Sequence, residues 1–433
     1  MGTIHRALKV RLYPNKEQET LILKTLGSCR FLYNQMLAER INVYEKLKDQ
    51  EKQVLWDHKY KSEVDYKNEF DWMREVDATA LQQSRADLAA AYQNFFRSLS
   101  GKRKGKAGFP KFHKRGRKDS YRAINNNNGV EVNFEKSKVK LPKLGWITFR
   151  DGDRKYEGKI KNATISRTKT GKYFVSVLYE QELELQGVLV TEGLKTKGLD
   201  MSLSDFFVDD EGKSPAYERI FRKYQPRLAH YQRRCAKKKK GSNNRKKAQL
   251  RVNRVYEKIA NSRKDFSHQL SAKLIRENDV IVVETLNLRA MAQCLNLGKS
   301  VNDLGYGEFL TQLKYKALWN NKTLIQADKW FASSKTCSHC GFVHKSLQLS
   351  DRQYICPKCG FEIERDHNAG INLKQYGLKE LGLIPTDRRE FKPVESKTSA
   401  KSQDKVSLVV EAGILLALDN RKFNKIDSDP PKN

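Results

Sequence analysis

Apolar and polar residues alternate through residues 7–13, ALKVRLY, with the period of a half-buried strand. The period changes after Pro14. Leu21, Ile22, Leu26, Cys29, Leu32, Tyr33, Met36 and Leu37 recur every three or four positions, which predicts a helix with Asn15 as N-cap and Gln18 at the capping-box position. A second amphipathic helix is predicted over about residues 80–96, with Leu81, Leu88, Tyr92, Phe95 and Phe96 on or near one face and Gln82, Gln83 and Arg85 projecting elsewhere. After the asparagine tract at 125–128, alternation returns in VEVNF, KVKLP, WITFR, ATISR and YFVSVLYEQ, which read as antiparallel strands. A polar connector at 182–197 marks a domain boundary.

Beyond it, residues 197–208 read as two short strands that meet, with a turn at 209–212. Tyr217, Phe221, Tyr224, Leu228 and Tyr231 on one arm, and Val255, Ile259, Phe266, Leu270 and Leu274 on the other, predict a helical hairpin turning near 241–243. Pro226 is expected to kink or restart the first arm. The continuous run Val280, Ile281, Val282, Val283 reads as a strand buried on both faces. Glu284 ends it, and a carboxylate in that position has to be paired, solvated or metal-bound. A helix over 305–319 and a strand over 323–327 follow, and the polar stretch 379–433 is expected to be a disordered tail. The pattern as a whole is that of an α/β multidomain protein.

Charge changes the picture. The 433 residues carry 84 Lys and Arg against 51 Asp and Glu, a net charge of +33, so a polyanion is the expected partner. The excess is clustered: residues 101–118 hold basic side chains interleaved with Phe109, Pro110 and Phe112 and no acid, and no acid occurs between Glu218 and Glu257. No apolar span of bilayer length and no signal peptide is visible, which disfavours a membrane-surface protein and places the chain in the cytoplasm.

Cysteine spacing adds candidate chemistry. Cys337, Cys340, Cys356 and Cys359 form C-x2-C-x15-C-x2-C, the spacing of two thiolate knuckles around one tetrahedral zinc. Gly341 and Gly360 follow the pairs, where a knuckle turn calls for positive φ. Four thiolates leave no open position, so the zinc is expected to be structural, and His339 and His344 are read as exposed loop residues. Cys29, Cys235 and Cys294 are read as buried or incidental thiols.

The run SSKTCSHCG, the second CPKCG and RDHNAGINL resemble the C-terminal part of the TnpB family, transposon-encoded RNA-guided nucleases related to type V CRISPR effectors. RLYPNKEQ, GSCRFLYNQ, AYQNFFRS and GFPKFHKR resemble its N-terminal region, and NSRKDFSHQLS and VIVVETLNL its centre, so the resemblance spans about residues 4–376. It implies a β-barrel wedge domain in two parts, 1–15 and 121–190, interrupted by a helical recognition insert at 16–120. It further implies a RuvC-like, ribonuclease H-like nuclease domain at 191–332 and 365–378, with a zinc ribbon inserted at 333–364. Asp200, Glu284 and Asp366 would be its catalytic acids, holding Mg²⁺ (or Mn²⁺) for phosphodiester hydrolysis. The family more often has glycine where Ser202 stands. Arg365 and Asn368 would orient the metal site or the substrate, and His268 would pack or touch phosphate.

The implied partners are a transposon-end-derived guide RNA and target double-stranded DNA flanked by a short transposon-adjacent motif, bound by a monomeric, nucleoid-associated bacterial ribonucleoprotein without a small-molecule substrate. Candidate nucleic-acid contacts are Gln82, Arg85, Lys111, Arg115, Arg122, Arg245, Arg254 and Arg263. A compact type V CRISPR effector shares nearly all these features. A catalytically silent regulator is disfavoured by the intact acids, and a DDE transposase by the ribbon placed before the last acid.

Overall fold

The alternating segment at the N-terminus becomes the longest strand of the protein's first sheet, β1 (Gly2–Tyr13). The structure, a computed structural model, describes residues 2–50, 52–103, 105, 107–116, 119–150, 155–183, 193–293, 297–348 and 350–383. The expected tail beyond 383 and Cys294 therefore lie outside the described residues.

A first unit ends at Glu184, inside the polar connector. After β1 it runs through α1 (Lys16–Leu47), α2 (Lys52–Asp57), α3 (Glu63–Glu69) and α4 (Ala78–Leu99). Strands β2 (Ser120–Ile124), β3 (Glu131–Asn133), β4 (Lys138–Leu141), β5 (Gly145–Arg150), β6 (Lys159–Arg167) and β7 (Tyr173–Leu183) complete it. The sheet is antiparallel in the order β2-β6-β7-β1-β5-β4-β3, so β1 is central. Its alternation sends Leu8, Val10 and Leu12 into a core shared with Val139, Ile147, Phe149, Val175 and Val177 and with Ile22 and Leu26 of α1. The capping box of α1 forms as expected, Gln18 N donating to Asn15 Oδ1 and Asn15 N to Gln18 Oε1. A separate helical core joins Leu32, Tyr33, Met36 and Leu37 to Tyr66, Met73, Leu81 and Leu88.

The second unit holds β8 (Thr196–Asp200), β9 (Val208–Asp209), α5 (Ile220–Ala236), α6 (Asn243–Glu277) and β10 (Val280–Val283). It continues with α7 (Leu288–Gln293), α8 (Gly298–Leu304), α9 (Tyr306–Trp319), β11 (Thr323–Gln326), β12 (Gln353–Ile355), β13 (Glu362–Glu364) and α10 (Arg365–Glu380). A four-stranded sheet has the order β11-β10-β8-β9, with β10 parallel to both β8 and β11, and β9 antiparallel to β8. Strand β10 is buried on both faces. Val280 and Val282 pack with Leu373 of α10, and Ile281 and Val283 pack with Leu274 and Ile275 of α6 and Phe309 and Leu313 of α9.

The basic hairpin is α5 and α6, closed on Leu228, Cys235, Val252, Val255 and Ile259, with Gly241 at positive φ and Ser242 as the N-cap of α6. The restart at Pro226 does not occur: α5 is a single helix through it. A proline in the second turn of a helix removes only one backbone hydrogen bond, and the apolar stripe facing α6 outweighs it.

Candidate functional site

Register fixes two carboxylates side by side. Val283 of β10 is the partner of Leu199 of β8, so the next residues, Glu284 and Asp200, leave adjacent parallel strands at the same edge. The third carboxylate, Asp366, lies in the first turn of α10, where the helix dipole favours negative charge. Helix α10 reaches this position because glycine meets glycine: a Cβ on Gly198 would stand 2.1 Å from Gly370 O, and one on Gly370 would stand 2.7 Å from the Asp209 carbonyl. These approaches put the α10 backbone directly against β8 and β9.

Asp200 interacts with both other acids. Asp200 is buried and its carboxyl is held well above the usual carboxylate range, first by burial, then by the Glu284 charge and a hydrogen bond with Glu284, then by Asp366. Arg365 acts in the opposite direction. It lies 3.1 Å from Asp366 Oδ1, and Arg352 lies 3.8 Å from Asp366 Oδ2. Ser333 Oγ donates to Glu284 Oε1 at 2.9 Å and so fixes its rotamer. Asp200, Glu284 and Asp366 are oxygen donors of the kind divalent cations take, but among the described residues only the four cysteines bring all their ligand atoms within 4.8 Å of one another.

Ser202, in the turn after β8, is accommodated at negative φ. The left-handed residue of that turn is Phe206, at φ +74°, fully buried against Tyr217, Phe266, Tyr306 and Phe309. Its backbone is held by Ser202 N, which donates to Phe206 O at 3.1 Å, and by the Tyr306 hydroxyl, which donates to the same oxygen at 2.8 Å.

The second site is the ribbon. The sulfurs of Cys337, Cys340, Cys356 and Cys359 all lie within 4.8 Å of one another, Cys337 to Cys359 at 3.8 Å and Cys340 to Cys356 at 3.5 Å. Four thiolates at about 2.3 Å from one zinc stand roughly 3.8 Å apart, so the set fits that ion, and these separations are far longer than a disulfide bond. The two knuckles repeat each other. Gly341 and Gly360 sit at φ +73° and +71° and donate to Cys337 O and Cys356 O at 2.9 Å each. The ribbon's own core is small, Leu347, Tyr354, Phe361 and Ile363 around the cysteines. His339 is exposed and stacks on Phe361; His344 is half-buried, with Nδ1 3.3 Å from Ser346 Oγ, and neither joins the metal cluster.

The ribbon is anchored to α10 by two buried asparagines. Asn368 is fully buried and spends its amide on the ribbon backbone, accepting from Ser338 N and donating to Thr336 O, rather than facing the carboxylates. Asn372, one turn on, donates to Ser333 O and Thr336 O at 2.7 Å. The pair lies at i and i+4 on one helix face, a spacing visible in the sequence but carrying no signal of what it would hold.

The candidate nucleic-acid contacts divide. Gln82, Lys111, Arg115 and Arg254 are exposed. Arg85 pairs with Glu63 at 3.2 Å and Arg122 donates to Gln83 Oε1, both from exposed positions. Arg245 is engaged on the Cys235 and Lys238 carbonyls, closing the end of α5, and Arg263 donates to Asn302 O. His268 is half-buried with Tyr315 OH 3.5 Å from its Nδ1. Cys235 is buried, and burial pushes the Cys29 thiol up to about 12.

Taken together, the two units describe a basic protein in which an antiparallel sheet with a helical insert is followed by an α/β unit holding clustered carboxylates and a four-cysteine ribbon. Comparison with known proteins agrees. Residues 306–373 match the Cas12f1-like TNB domain, residues 176–295 the "Probable transposase" domain of IS605 OrfB, and residues 1–49 its helix-turn-helix domain. That last stretch is here one strand and one continuous helix. The chain is 30% identical over 392 residues to "Putative RNA-guided DNA endonuclease InsQ" of Escherichia coli K12, covering 86% of this chain and 92% of the relative. It is 31% identical over 382 residues to a "Putative RNA-guided DNA endonuclease" of Streptomyces pristinaespiralis, covering 87% and 90%. The fold resembles the protein in a cryo-EM structure of a Cas12f1–sgRNA–target DNA complex, with TM-score 0.53 and 14% identity over 86% of this chain and 99% of that one. The chain belongs to the TnpB family of IS605-type transposons.

Proposed function

We propose that this protein is a transposon-encoded RNA-guided DNA endonuclease that cleaves double-stranded DNA at a single RuvC-like site formed by Asp200, Glu284 and Asp366. The observation that carries the reading is the convergence of these acids, two from adjacent parallel strand ends and one from a helix N-terminus, in a protein of net charge +33. The names of the two relatives, similar over nearly their whole length, support the same activity.

In this reading the three carboxylates would hold Mg²⁺, with Mn²⁺ as a substitute, and the ions would supply water activation and charge stabilisation for phosphodiester hydrolysis. The chain's part is to keep the oxygen donors placed before the ions arrive. Ser333 holds Glu284, Arg365 lies against Asp366, and the backbone contact of Gly198 with Gly370 sets the helix. Residues 1–15 and 121–190 form the wedge, 16–120 the recognition insert, 191–332 and 365–378 the nuclease domain, and 333–364 a structural zinc ribbon. Exposed Gln82, Arg85, Lys111, Arg115, Arg122 and Arg254 are assigned to guide RNA and target DNA, positioning the backbone while base pairing supplies sequence. Arg245 and Arg263 act chiefly within the protein, through the carbonyls they already hold.

The test replaces each acid in turn. Asp200→Ala, Glu284→Ala and Asp366→Ala are each expected to abolish Mg²⁺-dependent cleavage by the guide-loaded protein while guide and target binding persist, measured on labelled duplex. Cleavage at near the wild-type rate by any one variant removes that residue from the site.

A further inference from the structure

Between β11 and the ribbon, the chain makes a short turn whose both ends touch the Glu284 region. At its start Ala327 N donates to Val283 O at 2.9 Å, and Thr285 Oγ1 donates to Ala327 O at 2.6 Å. At its end Ser333 donates to Glu284. At the crest stands Trp330, 81% exposed, the largest exposure among the large hydrophobic side chains described. A free indole normally buries itself or finds a partner.

This one is held out by its neighbours. Trp330 N donates to Asp328 Oδ1 at 2.8 Å, Asp328 N donates to the Tyr376 hydroxyl at 3.3 Å, and the Phe331 ring lies on the Tyr376 ring with centroids 4.8 Å apart. Phe331 and Tyr376 thus pin the turn to α10, leaving the indole outside. Lys329 Nζ lies 4.5 Å from the indole centroid. An aromatic plate with a cation on it, on a turn whose two ends hold the Glu284 strand end, matches the way proteins grip single strands: bases stack while the ammonium meets phosphate.

We propose that Trp330 is a stacking platform for one unpaired nucleobase of the DNA strand entering the carboxylate cluster, with Lys329 contacting its backbone. The proposal rests on the nuclease reading and adds a substrate-positioning residue to it. Stacking would fix the strand's approach without reading its sequence, because every base offers a π-face.

The experiment uses the guide-loaded full chain and two single-stranded probes, DNA and RNA of the same sequence, each carrying one 2-aminopurine. The wild type and Trp330→Phe are expected to quench the DNA probe on binding. Trp330→Ala is expected to lose the quenching and to raise KM for single-stranded DNA cleavage by roughly tenfold, with kcat changing much less and guide RNA affinity unchanged. Equal quenching and equal KM in Trp330→Ala and the wild type would overturn the proposal, and so would quenching of the RNA probe alone. If the wild type quenched the DNA probe but cleaved nothing, the stacking assignment would stand and the nuclease reading would fall, so the two failures are distinguishable.

Discussion

Lys316 shows what a single side chain can do to the pH profile of the second unit. It lies half-buried between α6 and α9, donating to His268 O at 2.7 Å and Ser271 Oγ at 2.8 Å, both neutral acceptors, and burial lowers its pKa to about 8. An unfolded lysine titrates near 10.4, so between about pH 8 and 10.4 the unfolded chain binds more protons than the folded one. Stability from this group therefore rises with pH across that window and is lost as pH falls through 8. Urea midpoints at pH 7, 8.5 and 10 should rise more for the wild type than for Lys316→Met, and parallel profiles would contradict the assignment. Lys316 could not be singled out from sequence, since one lysine among so many says nothing about burial. The cysteines could, because their spacing marks them; the three acids of the proposed nuclease site are marked by motif context alone. Asp303 illustrates the gap: its buried carboxylate accepts from Phe221 N at 2.7 Å and caps α5 from α8, a contact over 82 residues with no local signature.

Elements were legible in proportion to their length and periodicity. Strands β1 and β3–β7, both arms of the hairpin and α9 follow the patterns of their sequences, whereas β2, of five residues, and α2, α3, α7 and α8, of six or seven residues each, are too short to display a stripe. The packing of α10 was illegible for another reason: glycines in a helical pattern read as defects until the partner backbone is seen. Gly198→Ala should cost about 3 kcal/mol or more, because its Cβ would meet the Gly370 carbonyl, part of a helix backbone that cannot yield locally. Gly377→Ala should cost less, since its obstacle at 2.3 Å is a methyl of the Val282 side chain. Denaturant midpoints for the two variants check the order. For the ribbon, with its small core, metal analysis should find about one zinc per chain. Cys356→Ser should lose the ion and destabilise the second unit, as structural zinc contributes on the order of 10 kcal/mol in small modules. A zinc-free preparation with an unchanged melting profile would contradict this.

At the scale of the whole molecule the governing fact is charge. A surplus of 33 positive charges favours a polyanion over self-contact, and no helix among the described residues is long and apolar enough to cross a membrane. Guide RNA is the polyanion that would both neutralise this surface and provide sequence choice, leaving the carboxylates to one reaction. The central claim is tested most directly by loading the protein with transposon-end RNA whose guide segment has been rewritten, then challenging it with a plasmid library carrying the matching target beside randomised flanking bases. Depletion should require both the match and a short fixed flank, and should vanish with Asp366→Ala. Equal cutting of matched and unmatched plasmids would contradict RNA guidance and leave an unguided nuclease.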